Sequence, residues 1–410
     1  MGKILNLGFL TKEIKISSRK LFAVTILVSG SLAWSFFVLF AFENIFISYV
    51  SSPFPVYVGQ ALFLSFGAIS AIIGSLISER VSRRKFLWSW IALGALASAS
   101  IAAFSETDFI WVSSLLLGVS LGLGYPSFTA VLGDCTVVEE RARVSGLVIF
   151  VTFVTVLFAA GLVLFMNLGL MGVVVVSLFL RLSSILALIL EPCEREKGKK
   201  KTWLEILAHR GFYLYLFPWL MFNIAVGLTS FIFLGLTQEY DTAYANGNLM
   251  HYMGAGIGAV IAGFVADRFG RKQPIIIGLV MLGISFGFLG LATSSLSLFV
   301  YLTISGFAWG FLIVVYLAVP GDVSLPGLKE RFYALGIVLP LIIYAGLGAS
   351  AMLLNIVAPA DSLSSVLSII LFLSVYPVLR AKETLAREKI SERKMKEYVE
   401  RVGKTIQEAE

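Results

Sequence analysis

Residues 263–272 read GFVADRFGRK, a short stretch that is charged and contains two glycines. It lies between two long apolar runs, one ending at Ala262 and the other beginning at Ile275. A compact charged segment between two runs of membrane length is typical of a tight turn at a membrane surface. The stretch therefore predicts a polytopic membrane protein, and the rest of the chain can be tested against that expectation.

The composition of the 410-residue chain predicts the same class. Hydrophobic residues make up 58% and charged residues only 14%, whereas soluble domains carry about 25% charged residues. Unbroken runs rich in Leu, Ile, Val and Ala favour helices over barrel strands, in which polar and apolar residues alternate. We therefore expect an all-α membrane protein. Twelve runs approach or exceed the roughly 20 residues that a spanning helix needs, and we number them spans 1–12: 21–42, 56–78, 86–104, 109–132, 144–166, 168–190, 212–236, 248–266, 275–293, 298–320, 332–354 and 362–380.

Basic residues are distributed unevenly between the segments that connect these spans. Of the 32 Lys and Arg residues, all but Arg181 fall in the N-terminus, the loops after even-numbered spans, or the C-terminal segment counted from Arg380 at the end of span 12. The positive-inside rule then predicts a multi-pass plasma-membrane protein with both termini in the cytosol. The net charge of +7 is explained by anionic lipid facing this side and requires no nucleic acid. Cys135 and Cys193 fall on the same side, where we expect reduced thiols of minor structural importance.

The charged stretch has a second copy earlier in the chain. Glu79 aligns with Asp267 at an offset of 188 positions, and Arg83 then aligns with Arg271. The same offset brings further glycines and acids into register: Gly118, Gly122 and Asp134 onto Gly306, Gly310 and Asp322. The next charged pairs, Glu140–Arg141 and Glu330–Arg331, match only if two residues are added to the second copy. The chain is therefore expected to consist of two homologous six-helix halves.

The form Gly-x-x-x-Asp-Arg-x-Gly-Arg-Lys resembles the loop between the second and third helices of each half of a major facilitator superfamily (MFS) transporter. The resemblance covers roughly residues 21–380 and implies that family's parallel repeat of two six-helix bundles. It divides the chain into five parts: an amphipathic segment 1–20, an N-terminal bundle 21–190, a linker 191–211, a C-terminal bundle 212–380 and a charged tail 381–410.

The resemblance also implies a gate on the cytosolic side. In the family, the motif carboxylate lies near the N-terminus of a helix in the opposite half, where the helix dipole favours an acid. Two latches are expected on this basis: Asp267, Arg268 and Arg271 with Asp322 or Glu330, and Glu79, Arg80 and Arg83 with Asp134, Glu139 or Glu140. The first copy has Glu for Asp and Ser for both glycines, so its latch is expected to be weaker or differently shaped. The alternative is that these charges only set the topology.

The first and fourth helices of each half line the central cavity in this family. The resemblance therefore implies a substrate pathway at Trp34, Tyr125, Asn223 and Tyr316, although each aromatic residue could serve packing instead. Glu43 is an acid that could lie in a cavity helix and carry a proton. If span 1 ends at Phe42, however, Glu43 lies in outer water.

Two further polar residues fall inside or near spans. Arg181 lies about 14 Å from the inner boundary, and we expect it to face protein in a structural ion pair or, alternatively, an anion site. His251 begins span 8, where a hydrogen-bonded helix end is expected rather than a proton carrier.

Together these features predict a secondary active transporter that moves a small organic solute by alternating access, coupled to protons and acting as a monomer. One alternative is a drug–proton efflux antiporter, although Ala159, Ala160 and Gly161 only weakly match the glycine-rich signature of that group. Another is a non-transporting sensor on the same fold. We expect no ATP-driven pump, since the chain has no phosphate-binding Gly-x-x-x-x-Gly-Lys-[Ser/Thr] loop. We also expect no enzyme, cofactor or metal site, because the sequence shows no catalytic constellation and its two histidines lie far apart.

Overall fold

The computed structural model describes residues 15–104, 107–190, 193, 203–207, 209–233, 241–291 and 294–385, with isolated positions 391, 395, 399 and 402. Within these residues, twelve helices are long and apolar enough to cross a membrane. The expectations for residues 1–14, for most of the linker and for the tail beyond 385 fall outside the described residues.

The membrane helices follow the twelve apolar runs, and most extend beyond them by a few residues. We label them in chain order: α1 Ser18–Asn44, α2 Phe54–Ser78, α3 Arg83–Ala99, α4 Thr107–Cys135, α5 Val138–Phe165, α6 Gly169–Ile189, α7 Arg210–Leu228, α8 Asp241–Phe269, α9 Lys272–Gly290, α10 Ser295–Val323, α11 Lys329–Leu354 and α12 Ala360–Arg380. Helix α11 contains a π-helical turn, Tyr344–Gly348, and α12 is interrupted at Ser374. A short helix, Trp203–Leu207, lies in the linker.

The turn that opened the sequence analysis joins α8 to α9. Gly270 has φ of +101° there, a backbone conformation that glycine adopts without steric cost. In the first copy, Ser82 occupies the equivalent position with φ of −59°. The two loops therefore have different backbone shapes, and the residue that replaces glycine accounts for the difference.

Small residues bring the second and fourth helices of each half into backbone contact. A β-carbon added at Gly122 of α4 would lie 1.9 Å from the carbonyl oxygen of Gly67 on α2. The equivalent addition at Gly310 of α10 would lie 2.3 Å from the carbonyl oxygen of Ala255 on α8. Because both pairs are 188 positions apart, the same packing contact is built twice, as expected for homologous halves.

The expectation for the two cysteines was wrong. Cys135, the last residue of α4, forms a disulfide with Cys193, and their Cα atoms are 5.4 Å apart. The two residues are separated by 58 positions in the chain, and the sequence carries no signal of their proximity. The fold brings them together by returning α6 to the end of the bundle at which α4 terminates.

Replacing Gly122 by Val should destabilise the protein by about 1–3 kcal/mol, because the added side chain must displace the backbone of α2. Gly287→Val is the matched control, since a β-carbon there meets nothing within 4 Å. Thermal unfolding of both variants in the same detergent provides the measurement. Equal melting temperatures for the two variants would contradict this account of the α2–α4 contact.

Candidate functional site

A first cluster of ionic side chains surrounds Arg83 at the N-terminus of α3. Its Nη1 lies 2.7 Å from Asp134 Oδ2, and its Nη2 donates to Glu330 Oε1 at 2.8 Å. Asp134 also accepts from Lys329 Nζ at 2.6 Å. Asp134 lies in the last turn of α4, and Lys329 and Glu330 begin α11, so this cluster joins the two halves.

A second cluster surrounds Arg271, between α8 and α9. Its Nε donates to Asp322 Oδ2 at 2.8 Å, and its Nη1 donates to Asp267 Oδ1 at 2.6 Å. Arg141 of α5 donates from Nη1 to Asp322 Oδ1 at 2.5 Å. Burial lowers the pKa of the Arg271 guanidinium, but the two carboxylates outweigh burial and raise it above its ordinary value. Arg271 is therefore a permanent cation at the centre of this cluster.

Each cluster is completed by one further pair between the halves. Asp267 accepts from the backbone N–H groups of Ala142 and Arg143 at 3.2 and 2.9 Å, and from Arg143 Nε at 3.1 Å. Glu79 accepts two hydrogen bonds from the Arg331 guanidinium, at 2.6 and 2.7 Å. The carboxylate of Asp267, a residue of α8, thus lies against the first two turns of α5. Both the backbone N–H donors and the helix dipole favour an anion there.

The two clusters are copies of one arrangement. Three pairs recur at the offset of 188 positions: Arg83–Asp134 as Arg271–Asp322, Arg141–Asp322 as Lys329–Asp134, and Arg143–Asp267 as Arg331–Glu79. Arg141 therefore corresponds to Lys329, not to Arg331. The two-residue addition used to match Glu140 with Glu330 was wrong. It paired residues of the same type, whereas the equivalent contacts of α5 and α11 align at the offset of 188 positions with no insertion.

Several expected latch residues have other partners. Glu330 pairs with Arg83 of the first half. Glu140 accepts from the backbone N–H groups of Lys15 and Ile16 and from that of Val137 at the start of its own helix.

The two remaining expected latch cations lie toward the surface. The Arg80 side chain is exposed. The Arg268 guanidinium lies over the rings of Phe264 and Phe269, 5.4 and 5.5 Å from their centroids.

The residues that the sequence reasoning missed are the cations of α5 and α11: Arg141, Arg143, Lys329 and Arg331. Each cation of α5 has its counterpart in α11 at the same offset, so an alignment without an insertion would have found them.

The start of the C-terminal tail also contacts the second cluster. Glu383 accepts from the backbone N–H groups of Arg271 and Lys272 at 2.7 and 3.2 Å, at the N-terminus of α9. The hydroxyl of Thr384 donates to Asp322 Oδ2 at 3.1 Å. In the first half, the backbone carbonyl of Cys193 occupies a comparable place and accepts from Arg83 at 3.2 Å. The chain that follows each bundle therefore closes over the cluster of that bundle.

The four residues expected along the pathway have different surroundings. Trp34 is fully buried within the first half, and its Nε1 donates to Ser98 Oγ at 2.8 Å. Asn223 is 1% exposed, and its amide nitrogen donates to the carbonyl of Trp219 on its own helix at 2.6 Å. Tyr125 is half-buried beside Phe128. The hydroxyl of Tyr316 is buried with no hydrogen-bond partner among the described residues.

Tyr316 ends a chain of ring contacts that we call the aromatic path. Successive ring centroids are 4.4–5.9 Å apart, within the usual range for aromatic pairs. The path connects α10 and α7 to α8 of the second half and then to α5 and α1 of the first, in this order: Tyr316, Trp219, Phe222, Trp309, His251, Tyr252, Phe153 and Phe36. Only Tyr316 of these was among the expected pathway residues, since ring contacts between helices leave no periodic signal in the sequence.

Glu43 was the expected proton carrier, and His251 was expected to be a hydrogen-bonded helix end. Helix α1 continues to Asn44, so Glu43 belongs to its last turn, where its side chain is exposed. His251 lies within α8, and its Nδ1 is 3.0 Å from Ser305 Oγ of α10.

Arg181 faces protein, as expected, but its contacts are not those of an ion pair. Its guanidinium lies 3.6 Å from the ring centroid of Trp90 and 4.7 Å from that of Trp34. Nη2 donates to Ser120 Oγ at 2.9 Å. A β-carbon at Gly94 would lie 1.7 Å from Nε, so glycine makes room for this cation. Indole faces attract a cation electrostatically, and here they take the place of a carboxylate.

The pair Glu79–Arg331 can be tested by charge reversal. Arg331→Glu should lower the melting temperature, because two buried carboxylates would then face each other. The double variant Glu79→Arg/Arg331→Glu should recover part of the loss, with a coupling energy of about 0.5–3 kcal/mol. Thermal unfolding of the four proteins in one buffer gives the coupling. Additive effects would show that the two side chains do not interact.

Comparison with known proteins places this geometry in a family. The family model described as Major Facilitator Superfamily matches residues 21–335. The human organic anion transporter MFSD10 (TETRAN) superposes with a TM-score of 0.66 at 16% identity, covering 88% of this chain and 99% of that one. The proton:xylose symporter XylE, bound to 6-bromo-6-deoxy-D-glucose, superposes with a TM-score of 0.65 at 16% identity. The superposition covers 90% of this chain and 97% of that one. A search of curated protein sequences finds no match. The chain is an integral multi-pass membrane protein that belongs to the Major Facilitator Superfamily of transporters.

Proposed function

We propose that this protein is a secondary active transporter for a small organic solute and that the two ionic clusters form its cytosolic gate. The observation that carries the proposal is the set of five ion pairs between the halves: Arg83–Glu330, Lys329–Asp134, Arg331–Glu79, Arg141–Asp322 and Arg143–Asp267. All five lie at one end of the molecule, where the charged loops of both halves meet. Opening that end requires these pairs to separate, so their arrangement corresponds to a closed inner gate.

The chemistry of the pairs suits a gate that opens and closes. Removing ions from water is costly, and the attraction between them repays this cost only in part, so the net stabilisation from a buried pair is small. When the halves separate, water returns and solvates the same groups. A set of such pairs therefore specifies the closed geometry without making it irreversible.

The aromatic path supports an organic solute as the substrate. Its members are seven aromatic side chains and one imidazole that pack against one another between the helices. A solute that contacts these rings would be planar or lipophilic rather than highly anionic. An organic anion and xylose are the substrates named for the two superposed transporters. At 16% identity these transporters support the fold but do not choose the substrate.

Proton coupling is the further part of the proposal. Glu43 lies exposed in the last turn of α1, and the proposed orientation puts this end of the helix at the outer surface, where a carboxyl can exchange protons with water. The distribution of basic residues supports an orientation with the clusters and both termini in the cytosol. We expect the protein to act as a monomer in the plasma membrane. A drug–proton antiporter is the second candidate, favoured by the aromatic path, and a non-transporting sensor is the third.

Saturable flux into proteoliposomes separates a transporter from a sensor. The solute can first be found by thermal shift of the purified protein against metabolites and drugs at two pH values, since a ligand raises the melting temperature by mass action. Failure of every stabilising compound to enter vesicles would favour the sensor.

Asp267→Asn should shift the carrier toward inward-open states. The amide keeps the shape of the side chain but weakens its charged hydrogen bonds to α5, each of which contributes about 1.5–3 kcal/mol. A single cysteine at Ser324, in a protein whose native cysteines are replaced by serine, should then react faster with an impermeant maleimide from the cytosolic side. Asp361→Asn, at an exposed acid at the start of α12, is the matched control. Equal labelling rates in the two variants would remove Asp267 from the gate.

Glu43→Gln should abolish accumulation driven by a pH gradient while leaving exchange of the solute across the membrane intact. The amide cannot release a proton, whereas Glu43→Asp retains a carboxyl and should preserve part of the coupling. Both variants are measured with the solute found by thermal shift, at several pH values. An unchanged pH dependence in Glu43→Gln would exclude Glu43 from coupling.

A further inference from the structure

The two lateral junctions between the halves should be alike in a molecule with this repeat. One is formed by α5 and α8 and the other by α11 and α2, which are equivalent at the offset of 188 positions. At the first junction, a β-carbon on Gly146 would lie 2.5 Å from the carbonyl oxygen of Ala259, and one on Gly263 would lie 2.6 Å from that of Ala142. The backbones of α5 and α8 are therefore in direct contact.

The second junction contains a cavity. A cavity of about 380 Å³ lies between α2 and α11, with walls that include Ala68, Ile69, Ile72, Val338, Ile342 and Gly346. These residues fall in the middle of Phe54–Ser78 and of Lys329–Leu354, at the level of the bilayer core. Ile69 and Ile342 are 52% and 55% exposed at its rim. The cavity is thus an apolar groove that faces the bilayer sideways.

The sequence explains why the junctions differ. Glycines that allow close contact between α5 and α8 are replaced at the second junction by larger residues, Gly146 by Ala334 and Gly263 by Ser75. Conversely, Phe150 on α5 is replaced by the smaller Val338 on α11. At the level of Val338, less side-chain volume therefore fills the space between α2 and α11.

The backbone of α11 also changes along this groove. Its π-helical turn, Tyr344–Gly348, contributes Ala345 and Gly346 to the wall, whereas α5 is α-helical from Val138 to Phe165. Such turns are rare and are found frequently at functional sites. At the inner wall, Leu341 closes the groove, since a β-carbon on Gly67 would lie 3.2 Å from its side chain.

We propose that the groove between α2 and α11 binds the acyl chain of a bilayer phospholipid. Three observations favour this occupant over a polar ligand. The walls are almost entirely apolar, with Ser65 the polar residue in the lining. The groove opens sideways at the depth of the lipid tails, so a chain enters it without crossing a polar surface. Its volume falls within the range of about 300–1,000 Å³ typical of ligand pockets.

A photoreactive phosphatidylcholine with a diazirine in its acyl chain provides the test, with the full-length protein in nanodiscs of phosphatidylcholine. After irradiation, mass spectrometry maps the labelled peptides. We expect labelling of residues 65–72 and 338–346 to exceed that of an ordinary lipid-facing surface such as Ile257 and Ile261 on α8, which are 45% and 44% exposed.

Gly346→Phe should displace the chain, because a side chain at this position meets no protein atom within 4 Å of its β-carbon and extends into open space. Each methylene displaced should lower binding by about fourfold. Gly287→Phe on α9 is the matched control, with equally open surroundings, and should leave the labelling of the groove unchanged. Even labelling of all lipid-facing helices in the unmodified protein, or equal loss of label in both variants, would overturn the proposal. The first of these outcomes does not depend on how either variant folds.

Discussion

The cost of burying charge is the constraint on which this structure depends. Arg271 is fully buried, and Asp267 and Asp322 expose almost none of their side chains. An isolated ion in such a place would be strongly unfavourable, so each must be matched by an opposite charge or by backbone donors. The groups that donate hydrogen bonds to Asp267 and Asp322 come from both halves of the molecule. As a result, the geometry in which every charge is satisfied is also the geometry in which the two bundles are closed at the charged end.

Duplication explains how so many charges can be satisfied together. A single set of three pairs, repeated at one offset, produces two clusters that face each other across the interface. The copies then diverge where the chain leaves each bundle. Glu383 caps α9 in the second half, while the carbonyl of Cys193 contacts Arg83 in the first. Glu140 accepts a hydrogen bond from the backbone N–H of Ile16, in the segment before α1. Divergence therefore affects the peripheral contacts and leaves the central pairs alike.

Hydropathy alone predicted the twelve membrane helices, because a bilayer requires long apolar helices and little else satisfies the backbone there. The division into two bundles came from the repeated charged stretch and the family resemblance. The centre of each cluster was also foreseen, since Arg83 and Arg271 belong to the repeated stretch. The sequence could not predict which side chains face the space between the halves, because that depends on how each helix is rotated about its axis. Trp34 was expected along the pathway, but it points into the first bundle toward Ser98. No spacing in the sequence distinguishes the face toward the bundle from the face toward the cavity when both are apolar.

The contacts within each half differ in kind from those between the halves. In the first half, the Arg181 guanidinium binds α6 to Trp90 of α3, Ser120 of α4 and Trp34 of α1. Glycines lock α2 against α4 through backbone contact. Both sets lie within the membrane-spanning helices, where separation would leave a cavity or expose a cation to lipid instead of water. The ion pairs between the halves at the charged end can separate at lower cost, because water hydrates each group that loses its partner. Movement between two rigid bundles is therefore cheaper than movement inside either one, which is the mechanical condition that alternating access requires.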